Sequence, residues 1–167
     1  MANWLVKAVA GVLTLILVYS GIGAFLESSY ITIYDDLPTE SAPRFVSNRE
    51  IQFIVSNGAP LALPFVSPTF SLSVRVVSNK SKIQCEFLDV FGTERACEKI
   101  ARGLGRIPPG GSANANLLIR TDDNFTLSVS VVMYFFSPMS VKSEQIACRA
   151  LPRGPFDLEP TFACTKI

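Results

Sequence analysis

An uncharged, strongly apolar run at residues 8–26 constrains this chain more than any other feature. It is bounded by Lys7 and Glu27. A helix rises about 1.5 Å per residue, so the run spans roughly 28 Å, close to the roughly 30 Å hydrocarbon core of a bilayer. The apolar part of a signal peptide is shorter, usually about 7–15 residues. We expect residues 1–27 to form a retained membrane helix; a cleaved signal and a helix buried in a filament are the alternatives.

The charges beside this run predict its orientation. Lys7 lies on the amino-terminal side, and positive charge stays on the cytoplasmic side of a membrane. The other side carries only acidic residues before Arg44, namely Glu27, Asp35, Asp36 and Glu40. The chain is therefore expected to place its N-terminus in the cytoplasm and the rest outside, as a single-pass protein of the cell membrane.

The four cysteines all follow the apolar run: Cys85, Cys97, Cys148 and Cys164. An even number in an exported domain indicates disulfides, and proximity favours Cys85–Cys97 and Cys148–Cys164 among three connectivities. A zinc site built from all four thiolates is an alternative, but the usual C-x2-C spacing is absent. Free buried cysteines are the expectation for a cytosolic domain.

Two sequons mark the same part of the chain as exported. They are Asn79-Lys80-Ser81 and Asn124-Phe125-Thr126, each placed where a turn between strands is expected. Asn79 and Asn124 are therefore the expected glycosylation sites.

Beyond the helix the hydrophobic pattern has a period of two. Residues 28–50 are expected to form a short strand and a linker, and residues 51–167 a single extracytoplasmic domain. Alternating apolar and polar residues predict strands, and the runs are 51–55, 70–76, 83–87, 113–119 and 125–135. Short strands separated by turn residues indicate a mainly β chain that folds as an immunoglobulin-like or jelly-roll β-sandwich. Residues 94–102 are the one later stretch that favours a helix. The segment between Cys148 and Cys164 is predicted to be an irregular tail.

Composition excludes several kinds of function. The chain has no histidine, which removes imidazole acid–base catalysis, His-activated nucleophiles and imidazole metal sites. The net charge of +1 argues against a nucleic-acid partner. The acidic pairs Asp35-Asp36 and Asp122-Asp123 lack the spacing of a calcium loop, so turn formation explains them. We expect no catalytic residue, cofactor, metal or small-molecule substrate.

Residues 30–34 have two interpretations. They either form the first strand of their own sheet or are lent to a neighbouring copy, because an open sheet edge accepts an added strand. One apolar N-terminal helix followed by one all-β domain resembles archaeal type IV pilin-type subunits and the membrane-anchored sandwich proteins that act as archaellum stators. The resemblance implies a surface role.

Two functions follow from the sequence. The first is a membrane-anchored surface protein with a structural or protein-interaction role, held in lipid by residues 8–26. The alternative is a subunit of an extracellular filament, in which copies of the chain pack through the helix or exchange a strand. Lys7 favours the first, since an ammonium near a helix end reaches the lipid interface but lacks a partner inside a dry fibre.

Overall fold

The computed structural model describes residues 2–37, 44–45, 49–60, 68–78, 83–88, 95–96, 99–135, 137–152 and 161–167. One described helix, α1 (Ala2–Ser28), precedes the strands. The described strands are β1 (Ile31–Asp35), β2 (Arg44–Phe45), β3 (Arg49–Asn57), β4 (Thr69–Ser78), β5 (Gln84–Phe87), β6 (Arg95–Ala96), β7 (Ile100–Gly105), β8 (Ser112–Arg120), β9 (Phe125–Tyr134), β10 (Pro138–Ala150) and β11 (Thr161–Lys166).

Two serines at the C-terminal end of α1 supply hydrogen-bond partners for carbonyl groups of its last turn. The last carbonyl groups of a helix have no partner within it. The Ser28 hydroxyl donates to the Phe25 carbonyl at 2.7 Å, and the Ser29 hydroxyl donates to the Leu26 carbonyl at 2.7 Å. The Ser29 amide also donates to Leu26. The helix ends at Ser28, and two residues separate it from β1.

The strands form two antiparallel sheets that pack face to face. One sheet has the order β1-β3-β8-β5-β6 and the other β2-β11-β10-β9-β4-β7, and each includes a two-residue strand at one edge. A sandwich is stable because each sheet has one apolar face and the two faces cover each other. The predicted fold class, a mainly β sandwich after a long apolar N-terminal helix, is confirmed.

Alternation in the sequence places the core side chains correctly. On β9 the inward set is buried, as predicted: Phe125, Leu127, Val129, Val131 and Met133. Phe135, expected to belong to that set, lies beyond the strand and is half-buried. From the other sheet Ile51, Phe53, Val55, Leu117 and Ile119 close the core.

Strand β1 pairs with its own chain. Ile31 lies opposite Asn57 and Asp35 opposite Phe53, which makes β1 an edge strand of the five-stranded sheet. This is the first of the two interpretations of residues 30–34. The division of the chain after residues 27 and 50 stays a prediction.

Two expectations about local structure are wrong. Where the structure describes residues 94–102, they are extended and belong to β6 and β7 instead of a helix. Pairing with β4, in which Ile100 lies opposite Val74, overrides a weak local helix preference. The described ends of the segment from Cys148 to Cys164 are not irregular, because β11 pairs with β10 and buries Phe162 and Cys164; residues 153–160 lie outside the described residues.

Candidate functional site

The amino-terminal two thirds of α1 stand clear of the sandwich. Every side chain from Trp4 to Tyr19 is exposed, although nearly all are apolar. The window Trp4–Leu26 has a mean hydropathy of 2.2, so it is long and apolar enough to cross a membrane, a property that signal sequences share. The Thr14 hydroxyl donates to the Ala10 carbonyl at 2.8 Å, which leaves no free hydroxyl proton at that position.

The last third of α1 packs against the protein through one narrow face of small residues. Ser20, Ala24 and Ser28 are buried and recur every four residues, and Gly23 is buried beside them. Residues four apart lie on the same side of a helix. Ala24 belongs to the same buried cluster as the core of the sandwich. The end of the helix around Ala24 thus packs against the core of the β-domain.

Asn57 organises the end of the sandwich into which α1 leads. It is fully buried; its side-chain amide donates to the Ile107 carbonyl at 3.0 Å, and its side-chain oxygen accepts from the Ala59 amide at 3.1 Å. Its carbonyl accepts from the Gly110 amide at 2.7 Å. Gly110 has a φ of 73°, the left-handed region that favours glycine. These bonds connect β3 to the loop between β7 and β8.

This role of Asn57 was not predicted from the sequence, because residues 56–60 have the composition of a turn. The alternation of inward and outward residues along β3 is the pattern that could have predicted this role of Asn57. Ile51, Phe53 and Val55 point inward, so Asn57 continues the inward row and has to find partners inside the protein. The same junction is completed by the Gly58 amide, which donates to the Tyr30 carbonyl at 3.1 Å.

A disulfide bond lies at the opposite end of the sandwich from Asn57. Cys148 and Cys164 are directly opposite each other on β10 and β11 and are bonded, the pairing expected from proximity. Phe162 packs edge-on against Phe125 with ring centroids 5.4 Å apart, on the strands beside this bridge. Cys85 is disulfide-bonded as well, while Cys97 lies outside the described residues. The described cysteine thiols are therefore not available to bind zinc.

One ion cluster joins the two sheets along an edge. The Lys166 ammonium lies 2.9 Å from a Glu144 oxygen and 3.0 Å from an oxygen of Asp35, which is on β1 of the other sheet. The hydrogen bond to Glu144 is the main cause that raises the pKa of Lys166 above its usual value; partial burial acts the other way, and Asp35 adds to the increase. The Lys166 side chain is more than half exposed, whereas the carboxylates of Asp35 and Glu144 are mostly buried, so the cluster ties the C-terminal strand to the edge of the sandwich.

The acidic pairs weighed as calcium ligands have other partners. Asp35 binds Lys166, and an oxygen of Asp36 accepts from the Gln52 amide at 2.9 Å. The Asp123 amide donates to the Thr121 hydroxyl at 3.2 Å, as in a turn. Among the described residues no three His, Cys, Asp or Glu side chains converge on a point that could hold a metal.

The second predicted glycosylation site lies in an accessible turn. Asn124 is exposed between β8 and β9, and its side-chain oxygen accepts from the Ala150 amide at 2.7 Å. Sugar attaches to the side-chain nitrogen, which this bond leaves unused. Asn79 lies outside the described residues. Modification of both asparagines stays a prediction.

A shallow depression of ≈ 140 Å³ lies on the five-stranded sheet. It is lined by Gln84, Cys85, Glu86, Leu118 and Arg120. Most of this space is open to solvent and none of it encloses a water molecule, whereas small-molecule sites usually enclose about 300–1,000 Å³. Arg120 instead lies 3.7 Å from Glu86 across it.

Comparison with known proteins does not assign this chain to a family. No protein-family model, curated protein or solved structure matches this chain. The class is therefore defined by architecture alone: an N-terminal apolar helix that leads into a disulfide-bonded β-sandwich.

Proposed function

We propose that this chain is a single-pass membrane protein whose β-sandwich lies on the outer side and has a structural or protein-interaction role at the cell surface. The observation that carries the proposal is the exposed apolar stretch from Trp4 to Tyr19, which extends from a closed sandwich. Apolar side chains exposed on every side of a helix are stable in lipid and not in water.

The disulfide supports the outer location. Disulfides persist in oxidising compartments and are rare in the cytosol. Cys148 and Cys164 are bonded, and Cys85 is bonded as well. Together with Lys7 on the amino-terminal side of the span, this supports a cytoplasmic N-terminus and an outer sandwich.

A non-enzymatic role is part of the proposal. The chain contains no histidine, so the commonest acid–base and nucleophile-activating group is missing. The described surface offers broad sheet faces and edge strands, which suit contact with another protein. The proposed role is to hold such a surface at a fixed height above the membrane.

Membrane fractionation tests the anchor directly. The protein should stay with membranes through washes with high salt and alkaline carbonate, and detergent should release it with the residues of the apolar run still attached. Protease added outside intact cells should cut the sandwich. A soluble species that begins near Phe25, or native protein with four titratable thiols, would contradict the proposal.

A filament subunit is the second function that the same observation supports, because an exposed apolar helix also packs well against copies of itself. Pairing of β1 with its own β3 speaks against exchange of that strand between copies. Lys7 is exposed on the helix and would need a partner in a dry fibre core. The anchored protein is therefore the preferred function.

A further inference from the structure

All four tyrosines of this chain are about half exposed. The exposed fractions are 47% for Tyr19, 46% for Tyr30, 59% for Tyr34 and 47% for Tyr134. A tyrosine ring has an apolar body and a polar hydroxyl group, which suits a place where one end is apolar and the other wet.

The strand registers place Tyr134 at the same end of the sandwich as the helix. Tyr30 directly follows the helix, and β1 then begins at Ile31, opposite Asn57. Asn57 binds Ile107, two residues beyond the end of β7. In the other sheet the end of β7 lies opposite Phe70 of β4, and the neighbouring pair on β4 and β9 is Thr69 with Tyr134. Tyr30, which directly precedes β1, and Tyr134, the last residue of β9, therefore lie at the same end of the sandwich.

Met139 is exposed at the same end of the sandwich, on the opposite face of the β9–β10 hairpin from Tyr134. It is 40% exposed and lies opposite Met133 in the hairpin of β9 and β10, one residue from the pair of Tyr134 and Pro138. Val77 is also exposed, at 45%, but lies opposite Thr126 at the far end of β9. The far end is about 27 Å from Tyr134 at roughly 3.3 Å per residue. Val77 thus provides an exposed apolar reference remote from the helix.

The spacing along the helix matches a bilayer. The helix from Trp4, the single tryptophan, to its end at Ser28 is about 36 Å long at 1.5 Å per residue, and Tyr30 follows two residues later. A bilayer with its headgroups is roughly 40–45 Å thick. Tryptophan and tyrosine concentrate at the two membrane–water interfaces, where the ring is in apolar surroundings and its polar group in water.

We propose that Tyr30, Tyr134 and Met139, here termed the tyrosine collar, bind the outer lipid interface and seat the sandwich directly on the bilayer. The inference rests on the proposed membrane anchor and deepens it, because it names the lipid headgroup layer as the partner of this end. The packing of Ala24 against the core of the sandwich supports it, since this contact keeps that end of the sandwich beside the outer end of the helix. The collar also sets which end of the sandwich faces outward, the end that carries Cys148–Cys164 and Asn124.

Single-tryptophan reporters test the collar in the full chain. Tyr134→Trp, Met139→Trp and the control Val77→Trp are each made in a Trp4→Phe background and reconstituted in phosphatidylcholine vesicles that contain lipids brominated at defined depths. We expect Tyr134→Trp and Met139→Trp to be quenched most by the shallowest bromine and to show an iodide quenching constant severalfold lower than Val77→Trp. Two collar reporters keep the test valid if one substitution prevents folding.

Measurements on the unmodified protein distinguish an error in the proposed tyrosine collar from an error in the proposed membrane anchor. Its Trp4 should be quenched by brominated lipid whether or not the sandwich touches the bilayer. Quenching of Trp4 combined with equal iodide access at positions 134, 139 and 77 would overturn the collar and leave the anchor intact. No bromine quenching of Trp4 would overturn both.

Discussion

The side-chain amide of Asn57 donates a 3.0 Å hydrogen bond to the carbonyl oxygen of Ile107, fifty residues further along the chain. This bond closes the end of the sandwich next to the helix, where β1, β3 and the loop after β7 meet. Asn57, Ile107 and Ala59 are all buried, so the two groups that bind the Asn57 side chain have little access to water if that side chain is lost.

Asn57→Ala should destabilise the sandwich strongly. The substitution leaves the Ile107 carbonyl and the Ala59 amide buried without their partner, and each such group costs about 1–3 kcal/mol. Chemical denaturation of the protein in detergent measures the loss. The control is Asn114→Ala, which removes an exposed asparagine from β8. Equal midpoints for the two variants would show that the Asn57 bonds contribute nothing.

The double variant Cys148→Ala and Cys164→Ala should lose about 3 kcal/mol of unfolding free energy. A cross-link with a sequence separation of 16 removes loop entropy from the unfolded chain, and that loss depends on loop length. The change should appear as a lower denaturation midpoint. Thr165→Ala, an exposed change on the same strand, serves as control. A midpoint unchanged from that of the parent protein would refute the expectation.

Lys166→Met should lower stability at neutral pH by about 1 kcal/mol or more, because it leaves the largely buried Asp35 carboxylate without the ammonium that pairs with it. The folded-state pKa of Lys166 is raised, chiefly by Glu144, so its contribution is fully present below the unfolded pKa of about 10.4. The contribution disappears as the pH rises through the folded value. Unfolding free energies of the two proteins should therefore converge at alkaline pH.

Two controls belong to the Lys166 experiment. Lys142→Met changes an exposed lysine on β10 and should give no comparable pH dependence. High salt should reduce the difference between Lys166→Met and the parent, because it screens exposed charges. A difference that persists unchanged above the raised pKa would assign the effect to packing of the lysine stem instead of its charge.

Ala24→Leu should destabilise the attachment of the helix to the sandwich. Ala24 is only 2% exposed, and added carbons in a well-packed site typically cost about 1–3 kcal/mol. Ala10→Leu makes the same change at an exposed position of the same helix and should be tolerated. Thermal unfolding in detergent compares them. Identical melting temperatures would mean that the buried face does not hold the helix.

Gly11→Leu distinguishes the two proposed functions. A side chain added at Gly11 meets no atom within 4 Å, so a lipid-facing helix should accept leucine with membrane binding unchanged. In a fibre core the same position would face neighbouring helices, and leucine would disturb their packing. Negative-stain images of both proteins provide the measurement. We expect single particles throughout; fibres in the parent that the variant loses would favour the filament subunit.

The sequence alone determined the elements whose signal is local. An uncharged run between Lys7 and Glu27 is long enough to specify a helix, and period-two alternation specifies a strand and its inward face, as on β9. The proximity of Cys148 and Cys164 was likewise sufficient to suggest their bond. These inferences hold because each depends on residues close together in the chain.

Only the tertiary structure decided which elements become neighbours. Residues 94–102 favour a helix locally, yet Ile100 pairs with Val74 because the six-stranded sheet offers a ladder of hydrogen bonds along β4. Alternation shows which face of a strand is buried but not which strand lies beside it. The bond between Asn57 and Ile107 and the placement of Tyr134 at the same end as Tyr30 both depend on that choice of partners. Backbone hydrogen bonds are chemically the same in every strand, so the fit of the whole core selects the pairing, and no short stretch of sequence records it.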